Sequence, residues 1–129
     1  MVWLTHRAPD IRIVAARARN WLKAEHLIAR FGGDEMLVVL YGCGMADAYD
    51  LADKLRLAVT EHPLAIDKVK LRVSLSMGVS ELQEGDTVQS LLQKADVALY
   101  QSKAGGRSRV TGYVAEVSRI ASSGAEVNP

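Results

Sequence analysis

Two short apolar runs joined by a tight acidic turn constrain the fold of this chain more than any other feature. Residues 27–31 and 37–41 are rich in large apolar side chains, and the sequence Gly-Gly-Asp-Glu lies between them. Paired apolar runs around a glycine-rich acidic turn predict a β-hairpin. The glycine pair offers backbone freedom and leaves room for a close approach to the main chain.

The two carboxylates of this turn, Asp34 and Glu35, are candidate ligands for a metal ion. Adjacent carboxylates on a rigid hairpin suit Mg²⁺, which takes oxygen ligands and usually shares them with substrate phosphates. Gly-Gly-Asp is also favourable turn chemistry in proteins that bind nothing there. The hairpin alone therefore leaves both interpretations open.

Apolar residues at helical spacing predict three helices along the chain. The pattern runs over residues 10–23, over residues 46–61 and over a third segment that begins after Thr87. Thr87 is placed to cap the third helix. Gly105-Gly106 is expected to end it.

Strand signals complete the fold prediction. Apolar residues alternate with small polar ones over residues 71–80, which predicts a half-buried strand. Residues 64–67 are expected to form a short partner strand, and residues 107–113 an edge strand. The second hairpin strand is apolar throughout, which predicts burial on both faces. Together the elements predict an α+β fold, an antiparallel sheet with helices packed on one face.

Size and charge narrow the classes of function. The chain has 129 residues, of which 49% are hydrophobic, enough for one domain with a modest core. With 16 basic and 15 acidic side chains and no block of like charge, there is no electrostatic case for nucleic acid. No apolar run is long enough for a membrane span. Cys43 is the single cysteine, which excludes an internal disulfide and fits a cytoplasmic location.

We expect one domain over residues 1–113 and a disordered tail over residues 114–129. The tail is expected because its composition turns small and polar.

Three stretches in order resemble the GGDEF domains, the diguanylate cyclase family. Arg30–Met36 resembles the core motif of that family. Val73–Ser80 resembles its V-S-x-G-V strand, and Ala95–Val110 resembles its A-D-x-A-L-Y-x-A-K-x-x-G-R-N-x-V helix and exit. The resemblance extends over about residues 6–112 and implies a fold similar to the palm of nucleotide cyclases.

The resemblance also implies an activity: two GTP molecules are condensed into cyclic di-GMP, a bacterial second messenger, with release of pyrophosphate. This chemistry uses Mg²⁺ or Mn²⁺ to neutralise developing charge. It needs two GGDEF protomers, each presenting one GTP, so a homodimer is implied. The full-length protein is expected to carry an upstream sensory domain and to act in the cytoplasm.

By resemblance, the hairpin residues receive the central roles. Asp34 is the implied metal ligand, and Glu35 is either a second ligand or the base that activates the 3′-hydroxyl. Gly32 and Gly33 are implied to let the nucleotide lie against the backbone. Arg30 is expected to support the hairpin rather than to act on substrate.

Three further residues match positions of the family that bind nucleotide. Lys103 and Arg107 match the phosphate-binding pair, although a helix C-terminus favours positive charge in any case. Asp10 lies in a stretch, Thr5–Asp10, that resembles G-H-x-x-G-D and is implied to hold guanine. An N-cap role is the equal alternative for Asp10.

The chain departs from the family at its beginning. The family has a first, central strand carrying D-x-D-x-F-K, whereas only five residues precede His6 here. The resemblance therefore implies a domain truncated at the first central strand, with one metal-binding carboxylate missing. We expect a fragment of a longer product or a mis-assigned start. Residues 1–4 or a strand from another chain are the candidates to fill the gap.

Many family members have R-x-x-D just before the hairpin as an inhibitory site. This chain has Lys23–His26 there. Lysine does not replace the bidentate arginine fork, so we expect no product inhibition at that site.

Three hypotheses follow. The chain is the catalytic part of a diguanylate cyclase that is inactive in isolation, or a non-catalytic signalling and dimerisation module that binds GTP without turnover. The third is a remnant with no independent role.

Overall fold

The computed structural model describes residues 1–7, 11–22, 26–61 and 63–114. Asp10, the residues 23–25 of the inhibitory-site position and the tail from residue 115 lie outside this range, so the expectations for them stay predictions. Ten elements follow one another along the chain: β1 (Val2–Arg7), α1 (Ile11–Trp21), β2 (Leu27–Arg30), β3 (Glu35–Val39), α2 (Met45–Thr60), β4 (Leu64–Ile66), β5 (Val69–Leu71), β6 (Ser74–Val79), α3 (Val88–Ala104) and β7 (Val110–Gly112).

Five strands form the main sheet in the order β2-β3-β1-β6-β7. β1 lies at the centre and pairs antiparallel with β3 and with β6. The N-terminal segment of the chain, one of the two candidate occupants, therefore lies at the central position of the sheet. β7 runs parallel to β6, so the sheet is mixed rather than wholly antiparallel. The α+β class and the edge position of the last strand are confirmed.

The main core lies between one face of the sheet and helices α1 and α2. Alternate residues of β1 and β6 point into it, because successive side chains of a strand lie on opposite faces. Val2 and Leu4 are almost fully buried there, as are Leu75, Met77 and Val79 of β6.

α3 packs on the opposite face, so the prediction that all helices share one face is wrong. Ser76, Gly78 and Ser80 of the β6 region are buried beneath this helix. Ser80 Oγ donates to the Leu91 carbonyl at 2.9 Å, and Ser102 Oγ of α3 donates to the Met77 carbonyl at 2.7 Å. The small residues that suggested a solvated face instead let the helix approach closely.

The hairpin forms as predicted, but its second strand is buried on one face only. Met36 and Val38 of β3 are buried, whereas Leu37 and Val39 between them remain partly exposed. α3 lies over β6, β7 and β1 rather than over β3. The outward face of this apolar run therefore lacks the cover that α3 gives to β6.

The segment predicted as one strand over residues 71–80 is divided in two. β5 ends at Leu71 and pairs with β4 in a separate two-stranded sheet, while β6 begins at Ser74. Asp67 and Lys68, between β4 and β5, both have positive φ, 49° and 68°. That geometry is typical of the two-residue turns that join adjacent strands, so residues 64–66 pair with their own neighbour and not with β6.

An ion pair anchors the start of α3. Thr87 caps the helix as predicted, accepting from Ser90 N while Ser90 Oγ accepts from Thr87 N. Asp86, just before the cap, receives Lys94 Nζ at 2.8 Å and Ser90 Oγ at 2.7 Å. The bond from Lys94 is the main reason that the pKa of Asp86 is lowered to about 2.

Asp86→Asn is expected to lower the unfolding temperature near neutral pH. Because the folded-state pKa of about 2 lies below the ordinary aspartate value of 3.8, the carboxylate stabilises the fold above about pH 4 and loses that effect as pH falls towards 2. The difference between wild type and variant should therefore shrink over this window in thermal scans. Asp96→Asn, on the exposed face of α3, is the control, and a difference that is constant with pH would contradict the assignment.

Candidate functional site

The hairpin turn is braced by its own backbone and by Arg30. Phe31 N donates to the Glu35 carbonyl at 2.9 Å. The Arg30 side chain donates to the carbonyls of Gly32 and Gly33 at 3.2 and 3.3 Å. The expected supporting role of Arg30 is thus observed.

The two glycines differ in the space around them. A Cβ on Gly32 would lie 3.2 Å from Glu35 Oε1, whereas a Cβ on Gly33 would meet nothing within 4 Å. Neither glycine has a positive φ. Open space, rather than backbone freedom, is therefore what Gly33 contributes to the turn.

β1 places the two hairpin carboxylates on opposite faces of the sheet. Thr5 is the cross-strand partner of Glu35, and His6 N donates to the Asp34 carbonyl in the next position. Cross-strand partners share a face and successive residues alternate. Asp34 therefore lies with His6 on the face of α1 and α2, while Glu35 lies with Thr5 on the face of α3.

On the face of the sheet covered by α3, the residue next to Thr5 belongs to β6. Ser76 is the partner of Thr5 on the other side of β1, and its Oγ accepts from Ser108 N at 3.0 Å. Three neighbouring strands thus place one residue each in line across the sheet: Glu35, Thr5 and Ser76. The loop after α3 contacts the last of them. With strands spaced about 4.8 Å apart, the Ser76 backbone lies roughly 10 Å from the Glu35 backbone, and the loop lies beyond it.

Lys103 and Arg107 reach the same end of the sheet. α3 runs from Leu91, beside Ser80, towards Ser102, which bonds to Met77, so its last turn points to the end that carries Glu35. Lys103 lies in that turn, and Arg107 lies in the loop bonded to Ser76. Both side chains are partly exposed.

Backbone geometry holds this loop in place. Arg107 and Ser108 have φ of 64° and 50°, in the left-handed region that few non-glycine residues adopt. Arg107 N donates to the Ser102 carbonyl at 2.9 Å, and Arg109 Nε donates to the Arg107 carbonyl at 3.1 Å. The backbone of Arg107 is therefore held by a hydrogen-bonded turn.

Sequence reasoning missed the contribution of β1 to the site. Thr5 and His6 were assigned to the stretch Thr5–Asp10 that resembles G-H-x-x-G-D, and only residues 1–4 were considered for the central strand. Because residues 2–4 are all apolar, no alternation of polar and apolar side chains extends that strand to Thr5 and His6.

The carboxylates of the hairpin turn fit a hard divalent cation only with the help of other ligands. Among the residues that the structure describes, no group of three or more His, Cys, Asp or Glu could hold a metal ion. On each face of the sheet, the hairpin supplies one carboxylate: Asp34 on one face and Glu35 on the other. Mg²⁺ is commonly held by one or two carboxylates together with substrate phosphates, so the site fits Mg²⁺ only as a complex with a phosphate ligand.

Comparison with known proteins identifies the class. The family model "Diguanylate cyclase, GGDEF domain" matches residues 10–109. The chain belongs to this family.

Two curated relatives illustrate the match. Response regulator PleD of Caulobacter vibrioides is 37% identical over 108 residues, covering 81% of this chain and 24% of PleD. Diguanylate cyclase A of Treponema denticola is 35% identical over 109 residues, covering 82% of this chain and 29% of that protein. The chain thus spans about a quarter of the length of these relatives.

Solved structures agree on the fold. The coiled-coil and GGDEF domain of DgcB from Caulobacter crescentus, in complex with c-di-GMP, superposes with a TM-score of 0.78 at 23% identity, covering 86% of this chain and 67% of that one. The GGDEF domain of YfiN from Pseudomonas aeruginosa superposes with a TM-score of 0.77 at 26% identity. The match covers 89% of this chain and 81% of that one. No helix in the described ranges is both long and apolar enough to cross a membrane.

Proposed function

We propose that this chain binds GTP at the end of the sheet that carries the hairpin turn, and that it is part of a diguanylate cyclase. One observation carries the proposal: the row from Glu35 through Thr5 to Ser76 leads to the loop of Arg107. Glu35 and the segment that carries Lys103 and Arg107 thereby lie towards the same end of one face of the sheet. That combination suits a nucleoside triphosphate.

The proposed reaction consumes two GTP molecules, one on each of two protomers. The 3′-oxygen of each nucleotide bonds to the α-phosphorus of the other. The phosphoanhydride bond between the α- and β-phosphates breaks. One pyrophosphate and one proton leave for each bond formed. Lys103 and Arg107 hold the leaving phosphates by charge. Glu35 accepts the 3′-hydroxyl proton or takes part in ion binding, and Gly33 leaves space for the nucleotide. A bound Mg²⁺ or Mn²⁺ neutralises negative charge on the phosphates.

Three parts of this proposal concern the whole protein rather than the chain. They are a homodimer as the catalytic form, an upstream sensory domain and a cytoplasmic location. Each follows from the reaction or from the family resemblance.

A non-catalytic GTP-binding module is the second candidate. It is favoured by Thr5, because the strand residue opposite Glu35 offers a hydroxyl where a second carboxylate would complete an ion site on that face. On this view the isolated chain binds GTP and turns over little or none.

Incubation with GTP and Mg²⁺, followed by chromatographic separation of nucleotides, distinguishes the candidates. Cyclic di-GMP and pyrophosphate would support the cyclase. Calorimetric binding of GTP without product would support the module, and a chain that neither binds nor converts GTP would contradict both.

Thr5→Asp is expected to create a stronger Mg²⁺ site. Directly opposite residues have Cβ atoms about 5 Å apart, so two carboxylates at positions 5 and 35 can share one ion. Without metal, the like charges should lower stability, by up to about 1 kcal/mol. Millimolar Mg²⁺ should then raise the unfolding temperature of this variant more than that of wild type.

Thr5→Asn is the matched control, because it has nearly the same shape without the charge. An equal response of both variants to Mg²⁺ would show that positions 5 and 35 do not face each other as described.

A further inference from the structure

The face of the sheet that carries α3 is covered over only part of its width. α3 lies over β6, β7 and β1, whereas no helix in the described part of the chain covers β2 and β3 on this face. Two large apolar side chains are open there, since Leu27 is 52% and Phe31 51% exposed. We call this surface the open floor, and it consists of Leu27, Ala29, Phe31, Leu37 and Val39.

A buried hydrogen-bond donor borders the open floor. Trp3 lies on the same face of the central strand, opposite Leu37, and its ring meets Phe31 edge to face with centroids 5.0 Å apart. The indole Nε1 is buried and has no acceptor among the described residues. Because a buried polar group without a partner costs free energy, an occupant of the floor that supplies an acceptor would be favoured.

α3 carries a second apolar stripe on its outer side. Ala95, Leu99 and Ser102 point towards the sheet and are fully buried. At about 100° per residue, Val97 and Tyr100 point in nearly the opposite direction. They are 44% and 70% exposed. The helix is therefore prepared to pack on both sides, although the chain itself covers only one of them.

One row across the sheet relates the helix to the open floor. Gly78 pairs with Trp3, Trp3 with Leu37, and Leu37 with Ala29. A Cβ on Gly78 would overlap the backbone of α3, so the row begins directly beneath the turn that carries Tyr100. β6 and β3 are two strands apart, about 10 Å, which is also the distance between packed helices. A helix over β3 would therefore fit beside α3.

We propose that α3 of a second copy of this chain covers the open floor, in a dimer with two-fold symmetry. The symmetry axis runs parallel to α3, midway between the two sheets. Each outer stripe then lies on the open floor of the other copy, and Tyr100 of one copy meets Leu37 and Ala29 of the other. A two-fold interface needs a surface that is complementary to itself, and the outer stripe and open floor together have that property.

The same arrangement supplies an acceptor for the indole. Lys94 Nζ lies 5.8 Å from the centre of the Tyr113 ring, beyond β7. Asp96, two residues further along the helix, therefore points to the other side of α3, above the central strand. In the dimer, Asp96 of one copy lies over Trp3 of the other, so the indole Nε1 can donate to its carboxylate.

The area of this interface is small. Three strands of about five residues give a floor of about 240 Å², and with the outer stripe each copy buries about 500 Å². A standard stable interface buries about 800 Å² per partner. We therefore expect a dimer that dissociates on dilution, mostly dimeric at about 500 µM and monomeric at about 5 µM.

Sedimentation velocity of the purified chain over this concentration range, without nucleotide, tests the proposal. Tyr100→Lys places a charge on the outer stripe and Ala29→Glu places one on the open floor, so each should weaken dimerisation at least tenfold. Mixed in equal amounts, the two variants should form a heterodimer, because the new lysine of one chain meets the new glutamate of the other. Leu57→Lys, at a 50% exposed position of α2, is the control and should change dimerisation less than twofold.

A chain that stays monomeric at all these concentrations would overturn the proposal, as would a mixture of the two variants that stays monomeric. Dimers that survive both single substitutions, or that Leu57→Lys weakens equally, would also overturn it, since another surface would then be responsible. The inference goes beyond the proposed function, which needs two protomers but assigns no surface to their contact. GTP binding, measured by calorimetry, can persist under each of these outcomes, so the cyclase proposal is tested separately.

Discussion

Gly78→Ala is expected to destabilise the protein by about 3 kcal/mol, a large fraction of the stability of a small domain. A Cβ at this position would overlap the backbone of Leu99 and Ala95 in α3. Backbone atoms cannot move aside as a flexible side chain can. The helix would have to shift away from β6, and the buried contacts of Ala98 and Leu99 would be lost with it.

Urea unfolding followed by tryptophan fluorescence measures this effect. Gly33→Ala is the matched control, because a Cβ there meets nothing within 4 Å. The control should stay within about 0.5 kcal/mol of wild type. A loss of less than about 1 kcal/mol for Gly78→Ala would mean that α3 is not seated on β6 as described.

Replacing both Lys103 and Arg107 by alanine is expected to weaken GTP binding about 100-fold. Each side chain would lose a charge-assisted contact worth roughly 1.5 kcal/mol, and about 3 kcal/mol corresponds to two orders of magnitude. The fold should be little affected, since Lys103 lies in a helix that tolerates alanine. Arg107 already bears a Cβ at φ 64°, so alanine adds no backbone strain.

The matched control is the pair Arg19→Ala and Lys54→Ala, which removes one arginine and one lysine from exposed positions of α1 and α2. It changes the net charge equally but lies away from the hairpin. Calorimetry with GTP and Mg²⁺ should show near wild-type affinity for the control. If both double variants weaken binding alike, general charge rather than a defined phosphate site accounts for the affinity.

The helices and the hairpin could be predicted because their signals are local. α1, α2 and α3 begin and end within two residues of the segments defined by apolar spacing, and Thr87 caps the third helix as expected. The side of the sheet on which α3 packs could not be predicted in this way. Ser76 and Gly78 are small residues that occur both on solvent-exposed faces and beneath a closely packed helix. The connection between β6 and α3 determines which of these applies here.

The arrangement of the candidate site could not be predicted from the sequence. Asp34 and Glu35 were treated as two carboxylates of one turn, which hides their alternation. In the structure, Glu35 begins β3 and pairs with Thr5, so Asp34 is left on the other face beside His6. Which face each carboxylate occupies depends on Thr5 and His6 of β1, and the sequence analysis considered only residues 1–4 for that strand.

The central claim is that GTP with Mg²⁺ binds where the hairpin turn meets the loop after α3. Amide chemical-shift mapping of the labelled chain during a GTP titration tests it most directly. We expect the largest shifts at Gly33, Glu35, Lys103 and Arg107. The opposite end of the sheet holds a cavity of about 330 Å³ lined by residues that include Tyr41, Cys43 and Glu81. Shifts concentrated around that cavity, or no shifts at saturating GTP, would contradict the claim.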